Sequence, residues 1–428
     1  MAMLGGVELF SGNEAAAAEE SKPAGPKVKV AVIGLGAWGR ELLTTLAQVP
    51  QADVAGICDT YRAALPRAGK LAPGATPAED PQALFSNKDI KAVIISTPTH
   101  KHKDLVLAAL KAGKHVYCEA PLAHTIEDAR AIALAAKATP LVIFQAGLQM
   151  RCDKQRHFLR PFIRSGALGQ AVMARAQWHK KQSWRTVAAT PEREQELNWR
   201  LNKDVSLGLA GELGIHPIDQ AGWFFDAEPI AVRGFGSVSF WKDDRSVPDT
   251  VQVLLEFPGG VFMNYNATLA NSFDNDYEML YGSDAAVMMR DGKAWMFKEV
   301  DSPLLGWEVY ASKQTFYKET GIALVADASK SVPAAGQQTQ ETVTNTSLSQ
   351  ALTTFLRNAA DLSAAVEDAT AALGDDPVAI GEQAAKVQRR PSAGYLEGYR
   401  ATVTAIKTNE AILSRERVEL KREWYELA

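Results

Sequence analysis

The sequence predicts an α/β protein: an N-terminal doubly wound parallel sheet, followed by an α+β domain with an open, mostly antiparallel sheet. Three observations carry this. A β-branched run, Val28 to Ile33, enters Gly34-Leu35-Gly36-Ala37-Trp38-Gly39 and then a helical pattern. Apolar runs and helical patterns keep alternating as far as Phe144, as a parallel sheet with crossover helices requires. After about Gly147 the period changes to two, with a Gly259-Gly260 hairpin signal between two such runs. A chain of 428 residues has room for both domains.

The first unit is the most informative. Val28, Val30, Val32 and Ile33 suit a buried strand, and Leu42, Leu43 and Leu46 mark the helix after the glycines. A second apolar run, Val54 to Ile57, ends at Asp59, twenty residues beyond Gly39. Glycines also gather in ordinary turns, but here strand, glycine spacing, helix, second strand and acid all agree. Gly34 makes the tight turn, Gly36 lets a diphosphate approach the backbone, and Gly39 lets helix and strand pack closely. The free N–H groups at the helix start, around Ala37 and Trp38, would hold the diphosphate. Asp59 would accept hydrogen bonds from the adenosine ribose and repel a 2′-phosphate. The expected cofactor is therefore NAD rather than NADP.

Further strands are expected at Ala92–Ser96, His115–Cys118 and Leu141–Phe144, with helices at Leu105–Ala112 and Thr125–Ala136. Thr125 reads as an N-cap, with Asp128 three residues on. The second half shows a helix at Phe158–Ser165 and alternating runs at Ala171–Trp178, Ala231–Trp241, Val251–Phe257, Val261–Thr268 and Ala294–Lys298. A last helix is expected at about Tyr395–Leu413. The resulting organisation is a tail or leader remnant (1–26), a cofactor domain (27–147) and a substrate and oligomerisation domain (148–428). A polar, mobile loop is expected at about 325–346.

Composition narrows the function. A net charge of −4 gives no reason to expect nucleic acid or an anionic membrane, and no apolar run is long enough to span a bilayer. Three scattered cysteines form neither a disulfide framework nor a metal cluster, so no metal is expected. The first residues lack a basic region before their apolar part, which reads as cytoplasmic as written. A periplasmic location is the alternative if a twin-arginine-type leader precedes this sequence.

Five segments together resemble the Gfo/Idh/MocA family, named for glucose–fructose oxidoreductase, inositol dehydrogenase and a rhizopine-catabolism enzyme. They are GLGAWG, the strand-end Asp59, STPTHKH (Ser96 to His102), GKHVYCEAP (Gly113 to Pro121) and GELGIHPID (Gly211 to Asp219). The resemblance implies a Rossmann domain plus an open sheet, with NAD between them and substrate over the nicotinamide. It also implies assembly into a dimer or tetramer through the exposed face of the second sheet. Thr97, Pro98, His102, Glu119 and Pro121 fall at cofactor-side positions. The family's usual motif at 119–121 is Glu-Lys-Pro, whose lysine helps take the substrate proton. Here that position is Ala120, which cannot.

The family's acid-x-x-x-His pair appears as Glu212 and His216. On one helix, i and i+4 would share a face, and the carboxylate would orient His216 as a base near neutral pH. A histidine buried and satisfied by its neighbour is the plainer alternative. Lys180 is a second candidate for the space left by Ala120, although it also suits a solvated strand end. Trp184 and Trp199, with Arg185, Asn198 and Arg200 nearby, fit a sugar site or core packing equally. Gln149 and Arg151 follow the last Rossmann strand, at a crossover the family uses near substrate. His100, His115, His124, His157 and His179 receive no assignment. Three functions follow: an NAD-dependent oxidoreductase on a sugar, polyol or glycoside, an NAD-assisted glycosidase or lyase, and a non-catalytic NAD or sugar sensor.

Overall fold

The computed structural model describes residues 26–306, 308, 313–316, 319–324 and 346–427. The expected tail up to residue 25 and the expected loop up to residue 345 lie outside the described residues.

The first six strands are β1 (Val28–Ile33), β2 (Ala52–Cys58), β3 (Thr76–Ala78), β4 (Ala92–Ile95), β5 (His115–Cys118) and β6 (Phe144–Ala146). They form one parallel sheet in the order β3-β2-β1-β4-β5-β6. Between them run α1 (Ala37–Leu46), α2 (Leu65–Gly69), α3 (Pro81–Ser86), α4 (His102–Lys111) and α5 (Ile126–Lys137). Alternate residues of β1 serve opposite faces. Ala31 and Ile33 join the core under α4 and α5, while Val28, Val30 and Val32 join the core under α1. Thr125 caps α5 as expected, accepting from Asp128 N. The sixth strand begins at Phe144, three residues later than the sequence suggested. Leu141 and Val142 are used in the reversal after α5, where Val142 N donates to Thr139 O.

The chain continues through α6 (Lys154–Phe162), β7 (Ala171–His179), α7 (Pro191–Leu197), α8 (Gly208–Glu212) and α9 (Ile215–Phe225). Then come β8 (Ala231–Ser237), β9 (Thr250–Phe257), β10 (Val261–Thr268), β11 (Asp276–Gly282), β12 (Ala285–Arg290), β13 (Lys293–Lys298), β14 (Lys313–Phe316) and β15 (Glu319–Leu324). With β16 (Val418–Glu419) these strands form a ten-stranded sheet, antiparallel except where β7 pairs with β10. β8 stops at Ser237 rather than Trp241 because the Asp249 carboxylate takes the N–H groups of Ser239, Phe240 and Trp241, each at 2.8 Å. The backbone turns around that acid and leaves the sheet.

The last helices are α10 (Ser347–Leu373), α11 (Pro377–Ala385) and α12 (Tyr395–Ser414). Sequence reading gave no helix at α10, yet Leu348, Leu352, Phe355, Leu356, Ala359 and Leu362 lie buried at helical spacing. They complete the α1 face of the parallel sheet. α12 packs against both α5 and β8, tying the two sheets together, and Thr402 Oγ1 accepts from Leu122 N at 3.0 Å. No described helix is long and apolar enough to cross a membrane.

Candidate active site

Three glycines shape the end of β1, for different reasons. Gly34 has φ +92°, and a Cβ there would lie 2.8 Å from the Ser96 carbonyl. A Cβ on Gly39 would lie 1.9 Å from Gly34 O, so the chain's own packing excludes it. A Cβ on Gly36 would meet nothing within 4 Å. The middle glycine thus answers to no contact inside the chain, which fits a ligand approaching from outside. No side chain caps α1 at Gly36, so the first N–H groups of that helix, from Ala37 and Trp38, have no side-chain partner there. Asp59 fixes the rim: Oδ2 accepts from Leu35 N at 2.8 Å and Oδ1 from Tyr61 N at 2.7 Å. The residues present therefore fit a dinucleotide.

Beyond β1, three loops converge. His102, buried, lies between Pro121 O (3.0 Å from Nδ1) and Thr97 O (2.9 Å from Nε2), joining the loop after β4 to the loop after β5. Both partners are acceptors, so a neutral ring can satisfy only one of them. Thr99 Oγ1 donates to the Glu212 carboxylate at 3.3–3.4 Å, joining the β4 loop to the third segment, Leu207–His216. Pro98 opens the turn that carries Thr99.

The third segment differs from the expected single helix. α8 ends at Glu212 and α9 starts at Ile215, with Leu213 at φ −125°, ψ −48° between them. The junction is crowded: a Cβ on Gly214 would fall 2.6 Å from both Ala210 O and the Tyr265 ring. The expected single helix is therefore broken between Glu212 and His216, and no hydrogen bond joins the two side chains among the described residues. Glu212 accepts from Thr99 and from Leu207 N, with Arg200 Nε 3.8 Å away. Burial raises its pKa, against the pull of Arg200, Leu207 N–H and Thr99. His216 Nδ1 is buried with no hydrogen-bond partner. Burial pushes the His216 pKa down, against the nearby Asp219 charge, which keeps the ring neutral and able to accept a proton.

Other polar atoms in these loops are buried without partners as well: Thr97 Oγ1, His100 Nδ1, Glu119 Oε1 and His124 Nδ1. Such atoms are uncommon in folded proteins, and each calls for a partner beyond the described chain. Burial lifts the Glu119 carboxyl from 4.5 to about 7, despite the Trp38 indole N–H and the Ala120 backbone N–H. The same cause lowers His100 to about 4, and lowers His124. His100 stands edge-on to His124 (6.1 Å) and to Trp199 (5.9 Å). Neither histidine carried an assignment from sequence. The available signal was position: His124 lies four residues after Ala120, and His100 lies inside the TPTHKH loop.

The remaining candidates scatter. Arg151 makes a bidentate pair with Asp219, 2.8 Å on both arms, and also lies over Trp223. Its charge is thus already engaged. Gln149 starts the short turn after β6, half-buried. Lys180 is exposed just past β7, and its side chain makes no hydrogen bond or ion pair among the described residues. Trp184, at φ +63°, packs half-buried against the main core. Trp199 is buried, with the Arg200 guanidinium 4.6 Å over its ring. Pro121 follows Ala120 at the turn that His102 holds.

Residues 28–147 match a family model described as the oxidoreductase family, NAD-binding Rossmann fold. Residues 157–288 match the GFO/IDH/MocA C-terminal domain. Among curated proteins, the inositol 2-dehydrogenase of Salmonella typhimurium is 32% identical over 187 residues, 41% of this chain and 55% of that protein. The levoglucosan dehydrogenase of Pseudarthrobacter phenanthrenivorans is 32% identical over 235 residues, 49% of this chain and 57% of that protein. The chain thus spans little more than half the length of these relatives. In fold it is similar to an oxidoreductase domain protein from Kribbella flavida, with TM-score 0.68 at 20% identity over 93% of this chain and 100% of that one. It is likewise similar to a levoglucosan dehydrogenase solved with NADH and L-sorbose, with TM-score 0.67 at 18% identity over 92% of this chain and 99% of that one. The two family models together cover more than half of the chain, one on each sheet, and the protein belongs to the Gfo/Idh/MocA family of NAD-binding oxidoreductases.

Proposed function

We propose that this protein is an NAD-dependent oxidoreductase that moves hydride between nicotinamide and a hydroxyl-bearing carbon of a sugar, polyol or glycoside. The observation that carries the reading is His216: a neutral imidazole with an unpartnered nitrogen, on the segment that Thr99 ties to the β4 loop. NAD, when bound, supplies the hydride acceptor or donor. Gly34, Gly36, Gly39 and the start of α1 hold its diphosphate, Asp59 its ribose, and Thr97, Pro98, Glu119 and Pro121 line its reacting end. Ala120 has no proton to exchange, so His216 takes the hydroxyl proton. Glu212 acts through the loop that it anchors rather than by touching the imidazole. Trp199, with Gln149 and Trp184, bounds the sugar side, and Arg151 holds Asp219 on α9. Lys180, exposed, is the reserve candidate for the base.

One observation favours a second reading. Ala120 removes the usual base, while Glu119, raised to about 7, can give or take a proton near neutrality. That pair suits an NAD-assisted glycosidase, where oxidation acidifies a C–H, the glycosidic bond is eliminated, and reduction restores the cofactor. Purified protein with NAD and a panel of sugars and nitrophenyl glycosides separates the two. Net NADH with keto-sugar formation supports the oxidoreductase. Aglycone release with solvent-deuterium uptake and no net NADH overturns it in favour of the glycosidase.

The outer face of the second sheet supports assembly into a homo-oligomer. Met173, Phe235, Leu254 and Phe262 are 38–50% exposed there. Apolar patches of this kind mark contact surfaces. A Phe262→Glu variant is expected to sediment as a monomer, and an unchanged sedimentation coefficient would count against this face.

A further inference from the structure

A segment between β7 and α8 reaches the loops on both sides of β1. Between β7 and α8 the chain runs outward through Lys180–Arg200 and touches the parallel sheet at two points. The Arg193 guanidinium lies 4.1 Å over the Tyr61 ring, just past the end of β2, and Trp199 meets His100, just past the end of β4. In the sheet order β2 and β4 flank β1, so these two contacts bracket the glycine turn. The lengths agree. α7 carries the chain about 6 Å from Arg193 to Leu197, and the two residues on to Trp199 add the rest of the roughly 10 Å that two strand spacings span.

The segment is built rather than loose. Thr186 and Asn198 exchange two hydrogen bonds, of 2.7 and 2.8 Å, that close it into a loop. Arg185 donates to Asp243 O at 2.8 Å and pairs with Glu194, and Arg245 donates to Ser183 O. Arg193 itself bonds Glu196 through Nη1 at 2.8 Å, while its Nε is buried without a partner. Tyr61 is the residue whose N–H the Asp59 carboxylate accepts, so the clasp stands directly beside the ribose-binding acid.

We infer that Arg193 and Tyr61 form a clasp over the adenosine half of the bound dinucleotide, so that the cofactor leaves only when this contact opens. The stack leaves no room for an adenine between its two members, so it serves as a wall and not as a sandwich. The inference rests on the NAD reading and extends it: Arg193, from the second domain, is a positioning residue for a cofactor that the first domain otherwise holds.

Stopped-flow release of NADH tests it. Full-length protein loaded with NADH is mixed with excess NAD, and the loss of tryptophan-to-NADH energy transfer gives the release rate. Arg193→Ala and Tyr61→Ala are each expected to release NADH about 3- to 30-fold faster, the range for a cation–π contact between exposed and desolvated settings. The double variant is expected to be no faster than the quicker single one, since both remove one contact. Arg193→Lys, which keeps the cation, is expected to recover part of the slow release. Release rates unchanged in both single variants, or multiplying in the double, would overturn the clasp. Failure of the wild-type protein to bind NADH would instead overturn the cofactor reading on which it rests.

Discussion

The two ends of the proposed cofactor groove are built in opposite ways. At the glycine turn the local contacts are internally settled: Ser96 Oγ donates to Gly34 O at 2.8 Å, Asp59 takes two backbone N–H groups, and Gly39 is demanded by a carbonyl. At the reacting end, Thr97, His100, Glu119, His124 and His216 each keep a buried polar atom without a partner. The first region is a rigid cradle whose shape the backbone enforces. The second holds buried polar atoms that no described atom of the chain satisfies. Binding and chemistry therefore rest on separate physical supports, and they should fail separately.

The largest effect is expected at the reacting end. His216→Ala should lower kcat by about 10²- to 10⁴-fold, the usual worth of a general base, with NADH affinity little changed. Glu212→Gln sharpens the point. If Glu212 oriented the imidazole directly, its variant would approach the His216 loss. Because it bonds Thr99 and Leu207 instead, we expect a loss of no more than about 10-fold, scaled to one supporting hydrogen bond. Steady-state kinetics with a shared substrate decides between these outcomes.

The cradle should break next. Gly39→Ala forces a Cβ against Gly34 O and should destabilise the fold by about 3 kcal/mol or more, read from thermal unfolding. Gly36→Ala meets no atom of the chain and should leave the unfolding midpoint unchanged. Its methyl group would occupy the ligand's approach, so NADH affinity should fall about 10-fold or more, as overpacking a close contact costs on the order of 1–3 kcal/mol. Equal loss of stability in both variants would erase the distinction between a glycine the fold needs and a glycine the ligand needs.

The cradle was also the part most legible in the sequence. Its constraints are local, because glycine spacing, strand pattern and the acid at Asp59 all fall within one βαβ unit. The helix α10 left an equally local trace in Leu348, Leu352, Phe355 and Leu356, which adjacent polar residues obscured. The reacting end was legible only as residue types. Glu212 and His216 stand four apart in the chain, but the helix breaks between them at Leu213, beside a Gly214 that Tyr265, on β10, leaves no room to replace. The pairing of Arg151 with Asp219 is likewise made by residues distant in sequence. Spacing gave the participants, and tertiary packing decided which of them touch.

The last of these effects tests the orphaned end through stability alone, without substrate or cofactor. Glu119 titrates near 7 in the fold and near 4.5 in its ordinary state, with burial as the main cause. Below pH 4.5 the carboxyl is protonated in both folded and unfolded chains, so its burial carries no ionisation cost. As pH rises from 4.5 to about 7 the unfolded chain releases the proton while the folded chain keeps it, and native stability falls. Well above 7 the loss levels off, at roughly 3 kcal/mol. Glu119→Gln has no proton to lose, so its unfolding midpoint should match the wild type near pH 4 and exceed it increasingly up to pH 8. A constant difference across that range would mean that Glu119 is ionised in the fold, with a partner at Oε1. The reacting end would then be as internally settled as the glycine turn.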